Sequence, residues 1–431
     1  MLGGGTYTKQ NKILPGTYIN FISAAAEKDS AVRGVVAMPM ELSWGPERTV
    51  FEVTRDSFDE GSLAVLGYPR NAPQMLPFRE MFRNAGRVYV YRLNNSGTKA
   101  SNDYGEARCN GIRGNGIRLV IQKNVEDETK FDVKTLIDAV QVDVQTVTEA
   151  SELADNDFVV FKKDAELAET AGMPLAGGTD GSVTGDSYQG FLDAMEQKGF
   201  NILGCPTKDE STVNLFTAYV KRLRDELGIK IQMVAYRASL ADYEGVISVE
   251  NQAVENEPGL VYWTAGASAA CAVNRSNTNK VYDGEYTVNT SYTQTQLADG
   301  IKMGKFLFHQ VGDEVRVLRD INTLTTFTEN KNSDFSDNQT VRVLDAIGNG
   351  VASLFAGRFM GQVPNDASGR VSLWNEIVTF CRSLSVQHAI EAVDAERITV
   401  EPGGTKRSVV VSVPVQPVNC MDQMYMTVVV E

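Results

Sequence analysis

The residues of this chain whose types could do chemistry are two histidines, five cysteines, several glycine clusters and a large set of carboxylates. Histidine acting as metal ligand or general base usually needs neighbours at matching spacing. His309 and His388 lie far apart, and each reads as a structural residue. Cys109, Cys205, Cys271, Cys381 and Cys420 contain no C-x-x-C pair and are odd in number, so they read as reduced packing residues of a reducing compartment. The phosphate loop G-x-x-x-x-G-K-[ST], the nucleophile elbow G-x-S-x-G, H-E-x-x-H and the EF-hand loop do not occur. Gly111, Gly114 and Gly116 stand in the order G-x-x-G-x-G, which misses the dinucleotide fingerprint. Gly177, Gly178 and Gly181 precede a predicted helix and could cradle an anion at its N-terminus, although a domain-junction turn needs the same glycines for backbone freedom. Asp313 and Glu314 fall at a predicted hairpin tip and Asp394 and Glu396 in a charged connection, where solvation explains both pairs. No catalytic residue, metal ligand or cofactor is expected.

The elements that would have to position such residues are those of a soluble multi-domain protein. At 431 residues the chain suits two or three domains, and its 42% hydrophobic content is enough for buried cores. No run approaches the roughly 18 apolar residues needed to span a bilayer, and no signal-peptide pattern opens the sequence. A net charge of −14 and a pI near 4.8, with no basic cluster to offset them, argue against nucleic acid and anionic membranes as partners.

Both ends of the sequence read as strands. After a glycine-rich leader, Leu14 to Ile22 is a short extended run, and Met424 to Glu431 is hydrophobic and β-branched. The two could pair within one molecule or cross to a neighbouring copy. Between them, a strand over Arg33–Met38, a helix over Met75–Asn84 and a strand over Gly86–Leu93 form a first α/β unit. Alternation at Ile117/Leu119/Ile121 and Val140/Val142/Val144, with a short run at Phe158–Phe161 and acidic loops, predicts a solvated β domain up to about Thr170. Strand–helix–strand spacing then returns: a helix over Tyr188–Gln197, a strand over Phe200–Gly204, a helix over Val213–Leu227, and strands over Lys230–Ala235 and Gly245–Val249. A small-residue helix at Ala265–Ala272 and a polar loop over Asn274–Leu297 precede a hairpin of Phe306–Phe308 with Val315–Leu318, whose second strand should continue through Arg319–Thr326. Two amphipathic helices follow, one carrying Leu344, Ile347, Val351, Leu354 and Phe355, the next Val371, Trp374, Val378 and Cys381, with Asn365 or Asp366 as its cap. The class is α/β, mixed α+β. The expected division is an N-terminal arm (1–30), a middle α/β domain (31–93 and 171–330), an inserted β-rich domain (94–170) and a C-terminal α/β domain (331–431) ending in a strand arm.

In order along the chain, Leu14–Tyr18 (LPGTY), Gly111–Arg118 (GIRGNGIR), Leu175–Gly181 (LAGGTDG), Arg319–Thr326 (RDINTLTT) and Val341–Asp345 (VRVLD) together resemble the sheath proteins of contractile phage tails and phage-tail-like particles. The resemblance implies a structural, non-enzymatic subunit that stacks as hexameric rings around a tail tube and contracts to drive the tube into a target cell. It implies an outer β domain, an inner C-terminal domain, and arms that join a neighbouring subunit's sheet: Thr17, Tyr18, Ile19, Asn20 and Phe21 at one end, and Tyr425, Met426, Thr427, Val428, Val429 and Val430 at the other. It also implies partners: further copies of the chain, a tail tube protein, and baseplate and tail terminator proteins. Arg370, Glu376 and Arg382 on the second C-terminal helix become candidates to face the tube, with a solvated helix face as their ordinary reading. Assembly would take place in the bacterial cytoplasm. Two other readings remain open: a cytosolic oligomeric α/β enzyme with an anion site at Gly177–Gly181, and a static shell or tube protein.

Overall fold

The structure, a computed structural model, describes residues 33–430 and two dipeptide strands near the N-terminus. Those two, β1 (Gly4–Gly5) and β2 (Thr17–Tyr18), pair in parallel within an N-terminal unit of residues 1–32. Ile19, Asn20 and Phe21 of the expected arm lie outside the described residues.

The body from residue 33 onward is built on a seven-stranded sheet. Its strands are β3 (Val35–Met40), β4 (Val50–Thr54), β5 (Arg87–Arg92), β12 (Ile202–Cys205), β13 (Gln232–Tyr236), β14 (Val246–Val249) and β15 (Lys305–Phe306), in the spatial order β15-β14-β13-β12-β3-β5-β4. All neighbours are parallel except the β4 edge, which runs antiparallel to β5. Because helices cover both faces, the central strands are near-continuous apolar runs, and successive residues enter opposite cores. Val36, Met38, Val88, Val90, Val234 and Ile247 face α2 (Leu76–Phe82) and α5 (Leu260–Ala270). Ala37, Tyr91, Leu203, Met233 and Ala235 face α3 (Gly185–Met195) and α4 (Glu210–Lys221). The α5 helix starts at Leu260, earlier than its small-residue run suggests, because Val261, Tyr262 and Trp263 are buried in its first turns. Gly266 lets it approach α2, since a Cβ there would stand 2.4 Å from the Met81 carbonyl oxygen.

Two elements of the first unit escape sequence reasoning, β4 and α1 (Arg55–Leu66). The helix buries only Phe58, Ser62 and Leu66 and is kinked at Gly61, so its apolar stripe is too thin to read. Its start is fixed by a capping box in which Thr54 and Ser57 satisfy each other's backbone amides.

Between β5 and α3 the chain leaves the sheet to build a β insertion. It consists of β6 (Gly105–Ala107) paired with β10 (Val159–Phe161), and an antiparallel sheet of β11 (Thr170–Pro174), β7 (Ile117–Lys123), β8 (Phe131–Ile137) and β9 (Val140–Val147) in the order β11-β7-β8-β9. Leu119, Ile121, Val133, Phe158 and Phe161 form its core with Trp44 from the α/β part. After α6 (Gln294–Lys302), a helix that begins at the end of the expected polar stretch and runs past it, and β15 comes the hairpin of β16 (Phe308–Val311) and β17 (Glu314–Val317). Its second strand does not continue through Arg319–Thr326. There Asn322 and Thr323 use their side chains on backbone partners at Phe335, Leu324 and Tyr243, which replaces a strand ladder.

The C-terminal lobe comprises α7 (Asn338–Arg358), α8 (Ala367–Val386, capped by Asp366) and the ribbon of β18 (Thr399–Pro402) with β19 (Val409–Ser412) around its own core of Leu373, Ile377, Cys381 and Ile398. Beyond Ser412 no described residue is in a strand, so the predicted terminal strand at Tyr425–Val430 finds no ladder among the described residues. Among the described residues no helix is long and apolar enough to cross a membrane.

Candidate assembly surfaces

Charge pairs buried at the start of α7 tie the C-terminal lobe to the body. The first turns of α7, from Asn338 to Asp345, are almost wholly buried, and they carry Arg342 and Asp345 inward. Arg342 Nη2 donates to Asp320 Oδ2 at 2.7 Å with both side chains shut off from solvent. The Asn277 amide (2.9 Å) and Asn338 Nδ2 (2.9 Å) donate to the same carboxylate. Burial works against that charge, but the Arg342 guanidinium and these donors outweigh it and hold Asp320 below the usual carboxylate range. One turn on, Arg224 in the π-helical turn that follows α4 clasps Asp345 bidentately at 2.7 and 2.8 Å. Burial and the Arg342 charge push the Arg33 guanidinium down to about 10, and it caps the end of α5 through the carbonyls of Cys271 and Ser268. Asp337 is raised by burial and by the charge of Asp320.

The polypeptide after β19 turns back onto the same helix start. Ile390 bridges Pro417 and the Val418 amide donates to Ala389. Gln339 of α7 then grips the chain from both sides of its amide: Nε2 donates to the Val418 carbonyl at 3.0 Å and Oε1 accepts from the Cys420 amide at 2.9 Å. Thr340 pairs with Asn419, and Arg319 reaches Asp422 at 3.2 Å. Among the described residues that salt bridge is the last long-range tether. Met424, Tyr425, Met426, Val428, Val429 and Val430 beyond it are exposed, Tyr425 and Val430 to 91% each. A β-branched, apolar strand sequence with open backbone groups is a template for pairing with another chain.

The remaining expected site residues are dispersed. Glu376 is ion-paired to Arg358 of α7 at 2.6 Å, Arg370 donates to the Asn365 carbonyl at 3.2 Å, and Arg382 is exposed. The three share α8 but are not brought to one centre.

The glycine segments prove to be joints. Entry to and exit from the β insertion run side by side, with bridges Asn95–Ser182, Thr98–Thr179 and Ser101–Ala176. A Cβ on Gly181 would stand 1.8 Å from the Asn95 carbonyl oxygen, and one on Gly111 2.1 Å from that of Ser43. The Gly178 amide is taken by Asn115, while Asp180 accepts from the Ile112 amide and from Ser43 Oγ. The turn therefore has no open cradle, and α3 begins only at Gly185 behind its own Thr184 cap. Within GIRGNGIR, Arg113 pairs with Asp138 at 2.8 Å, lies over the Tyr68 ring at 4.5 Å and donates to the Gly67 carbonyl at the end of α1, bolting insertion to body. Sequence reasoning noticed these glycines; it missed Asp320, Arg342, Asp345 and Gln339, whose partners lie far away in the chain.

A doubly wound body split around an inserted β domain, with a charge-docked terminal lobe and an open apolar tail, defines a mixed α/β fold. Residues 33–93 match the tail sheath protein Gp18 domain III N-terminal region, 95–180 the phage tail sheath protein beta-sandwich domain, 181–323 the phage tail sheath protein central domain and 330–431 the phage tail sheath C-terminal domain. The chain is 33% identical to the phage-like element PBSX protein XkdK of Bacillus subtilis (strain 168), over an alignment spanning 99% of each. It belongs to the phage tail sheath protein family. A crystal structure of the sheath tail protein from Desulfitobacterium hafniense superposes with a TM-score of 0.81 at 37% identity, over 95% of this chain and 99% of that one. The helical sheath of the anti-feeding prophage in its contracted state shares the fold, with a TM-score of 0.56 at 14% identity over 97% of this chain and 99% of that one.

Proposed function

We propose that this chain polymerises as stacked hexameric rings around a tail tube and contracts to drive the tube through a target cell envelope. The observation that carries the reading is the tail: fastened to the start of α7 through Cys420 and to Arg319 at Asp422, it then presents an apolar strand sequence with no partner among the described residues. Added to a neighbouring copy's sheet, such a strand contributes several backbone hydrogen bonds at roughly 0.5–1.5 kcal/mol each, and it tethers subunits while leaving their orientation free. The N-terminal run Thr17–Phe21 is the second arm. In this reading residues 94–170 lie outside, residues 331–431 lie inside, and Arg370, Glu376 and Arg382 face the tube. The Arg358–Glu376 pair offers the tube a polar contact that can exchange during movement. Baseplate and tail terminator proteins would close the two ends of the sheath, and the subunit would be made in the bacterial cytoplasm and become part of a virion tail or phage-tail-like particle.

Negative-stain microscopy of the full chain and of two truncations tests this. The full chain should form hollow cylinders. Deletion of Met1–Ile22 or of Tyr425–Glu431 should leave a folded monomer that forms none; if both truncations still assemble, strand exchange is wrong.

A further inference from the structure

The doubly wound sheet has a topological switch point that the sheath reading leaves unused. From β3 the chain steps first to β5 on one side and later to β12 on the other, and at the carboxyl ends of β3 and β12 the two connections diverge. In open α/β sheets this crevice is where ligands bind. Here it holds a cavity of about 160 Å³, close to the roughly 150 Å³ that accommodates a benzene-sized body. Pro39, Leu42, Pro77 and Leu93 supply apolar walls.

Its polar groups select the ligand's charge. Tyr262 lines the cavity, is only 9% exposed, and its hydroxyl has no hydrogen-bond partner among the described residues. Glu41, also lining the cavity, stands exposed at its mouth with no ion pair or hydrogen bond among the described residues. Burial raises both the Tyr262 and Tyr188 phenols, with the Glu41 charge among the smaller causes. The crevice carries no free basic group among its lining residues. The β12–α4 connection carries Pro206, which lacks an amide hydrogen, and the α4 N-terminus is already occupied by Asp209, whose carboxylate accepts from the Thr212 amide at 2.8 Å. Lys208 is neutralised by Glu257 at 3.1 Å.

We propose that this crevice binds an organic cation with a compact apolar body, its ammonium or guanidinium group between the Glu41 carboxylate and the Tyr262 hydroxyl and its body against Pro39, Leu42, Pro77 and Leu93. Two sources share that chemistry, a free small amine and a lysine or arginine side chain of a second copy. The site is independent of strand exchange.

Benzylamine, benzyl alcohol and benzoate, titrated into the full-length chain, test the site by melting temperature and calorimetry. Benzylamine should bind saturably with a logarithmic rise in melting temperature, the neutral alcohol about tenfold more weakly, and benzoate not at all. Glu41→Gln should weaken benzylamine about tenfold, and Tyr262→Phe should weaken it without changing the fold. Equal binding of benzoate, no saturable binding of benzylamine, or affinity unchanged in both variants would overturn the proposal. Cylinder formation distinguishes the sources: an assembly defect in Glu41→Gln, mimicked by benzylamine on the wild type, assigns the cation to a second copy, and normal assembly assigns it to a free amine.

Discussion

Substituting Asp320 by Asn should loosen the C-terminal lobe before anything else in the molecule. The carboxylate faces Arg342 at 2.7 Å with relative exposures of 0% and 1%, and it also accepts from Asn277 and Asn338. Removing one member of a buried pair leaves an uncompensated charge, at a cost of about 3–5 kcal/mol. That exceeds the ~1 kcal/mol typical of a point substitution. Arg342→Met should cost a similar amount, by stranding the carboxylate. The double variant removes both charges and should cost well under the sum, with a coupling of at least ~2 kcal/mol. A chain of several packed units is not expected to unfold in one step, so the assay is hydrogen exchange of the α7 amides, which reports local opening. The lobe's Trp374, bonded to the Ile398 carbonyl at 2.9 Å, supplies a fluorescence check. If α7 protection changes by less than ~1 kcal/mol in either single variant, or if the two costs simply add, the docking argument fails.

The same cluster sets a pH dependence with two signs. Asp320 has a depressed folded pKa, so its contribution is complete above the unfolded value of about 3.9 and is lost as pH falls through the folded value. Asp337 and Asp345 are raised, chiefly by burial, so their sites bind protons preferentially in the folded state just above pH ~3.9. Protection of α7 should therefore rise slightly from neutrality towards that pH and fall below it, and Asp320→Asn should remove the fall. Gly181→Ala, whose Cβ would meet a backbone oxygen at 1.8 Å, should destabilise the β insertion by about 1–3 kcal/mol, read from the Trp44 signal in a urea melt. The control Gly185→Ala, with open space around it, should be neutral or gain up to ~1 kcal/mol. Gln339→Ala should release the tail, making residues 416–422 cleavable under limited proteolysis that spares the wild-type segment.

What was legible in the sequence is what depends on neighbours within a few residues. The buried runs of β12, β13 and β14, the alternation of β7 and β9 and the stripes of α7 and α8 announce themselves by period. Arg319–Thr326 misled because Thr and Ile are strand formers, whereas its polar side chains bond to residues 13 and 80 positions away. The Asp320–Arg342 pair was not legible for the same reason: one position says nothing of the counter-charge that makes burial tolerable. The candidate arm shows the converse. Met424–Val430 has the composition of a buried strand, and the structure leaves it exposed and unladdered after a tether at Asp422. β-propensity describes fitness for a pleated, half-buried surface; it does not say whose surface. A tail fastened by neutral hydrogen bonds to the buried first turn of α7 and by the Arg319–Asp422 salt bridge, and free beyond it, transmits a pull on the strand to the point where the lobe is docked by charge. Under the proposed assembly, the joint that resists that pull is the Asp320–Arg342 pair, so weakening it should let lobes move relative to their bodies while the strand links between subunits hold.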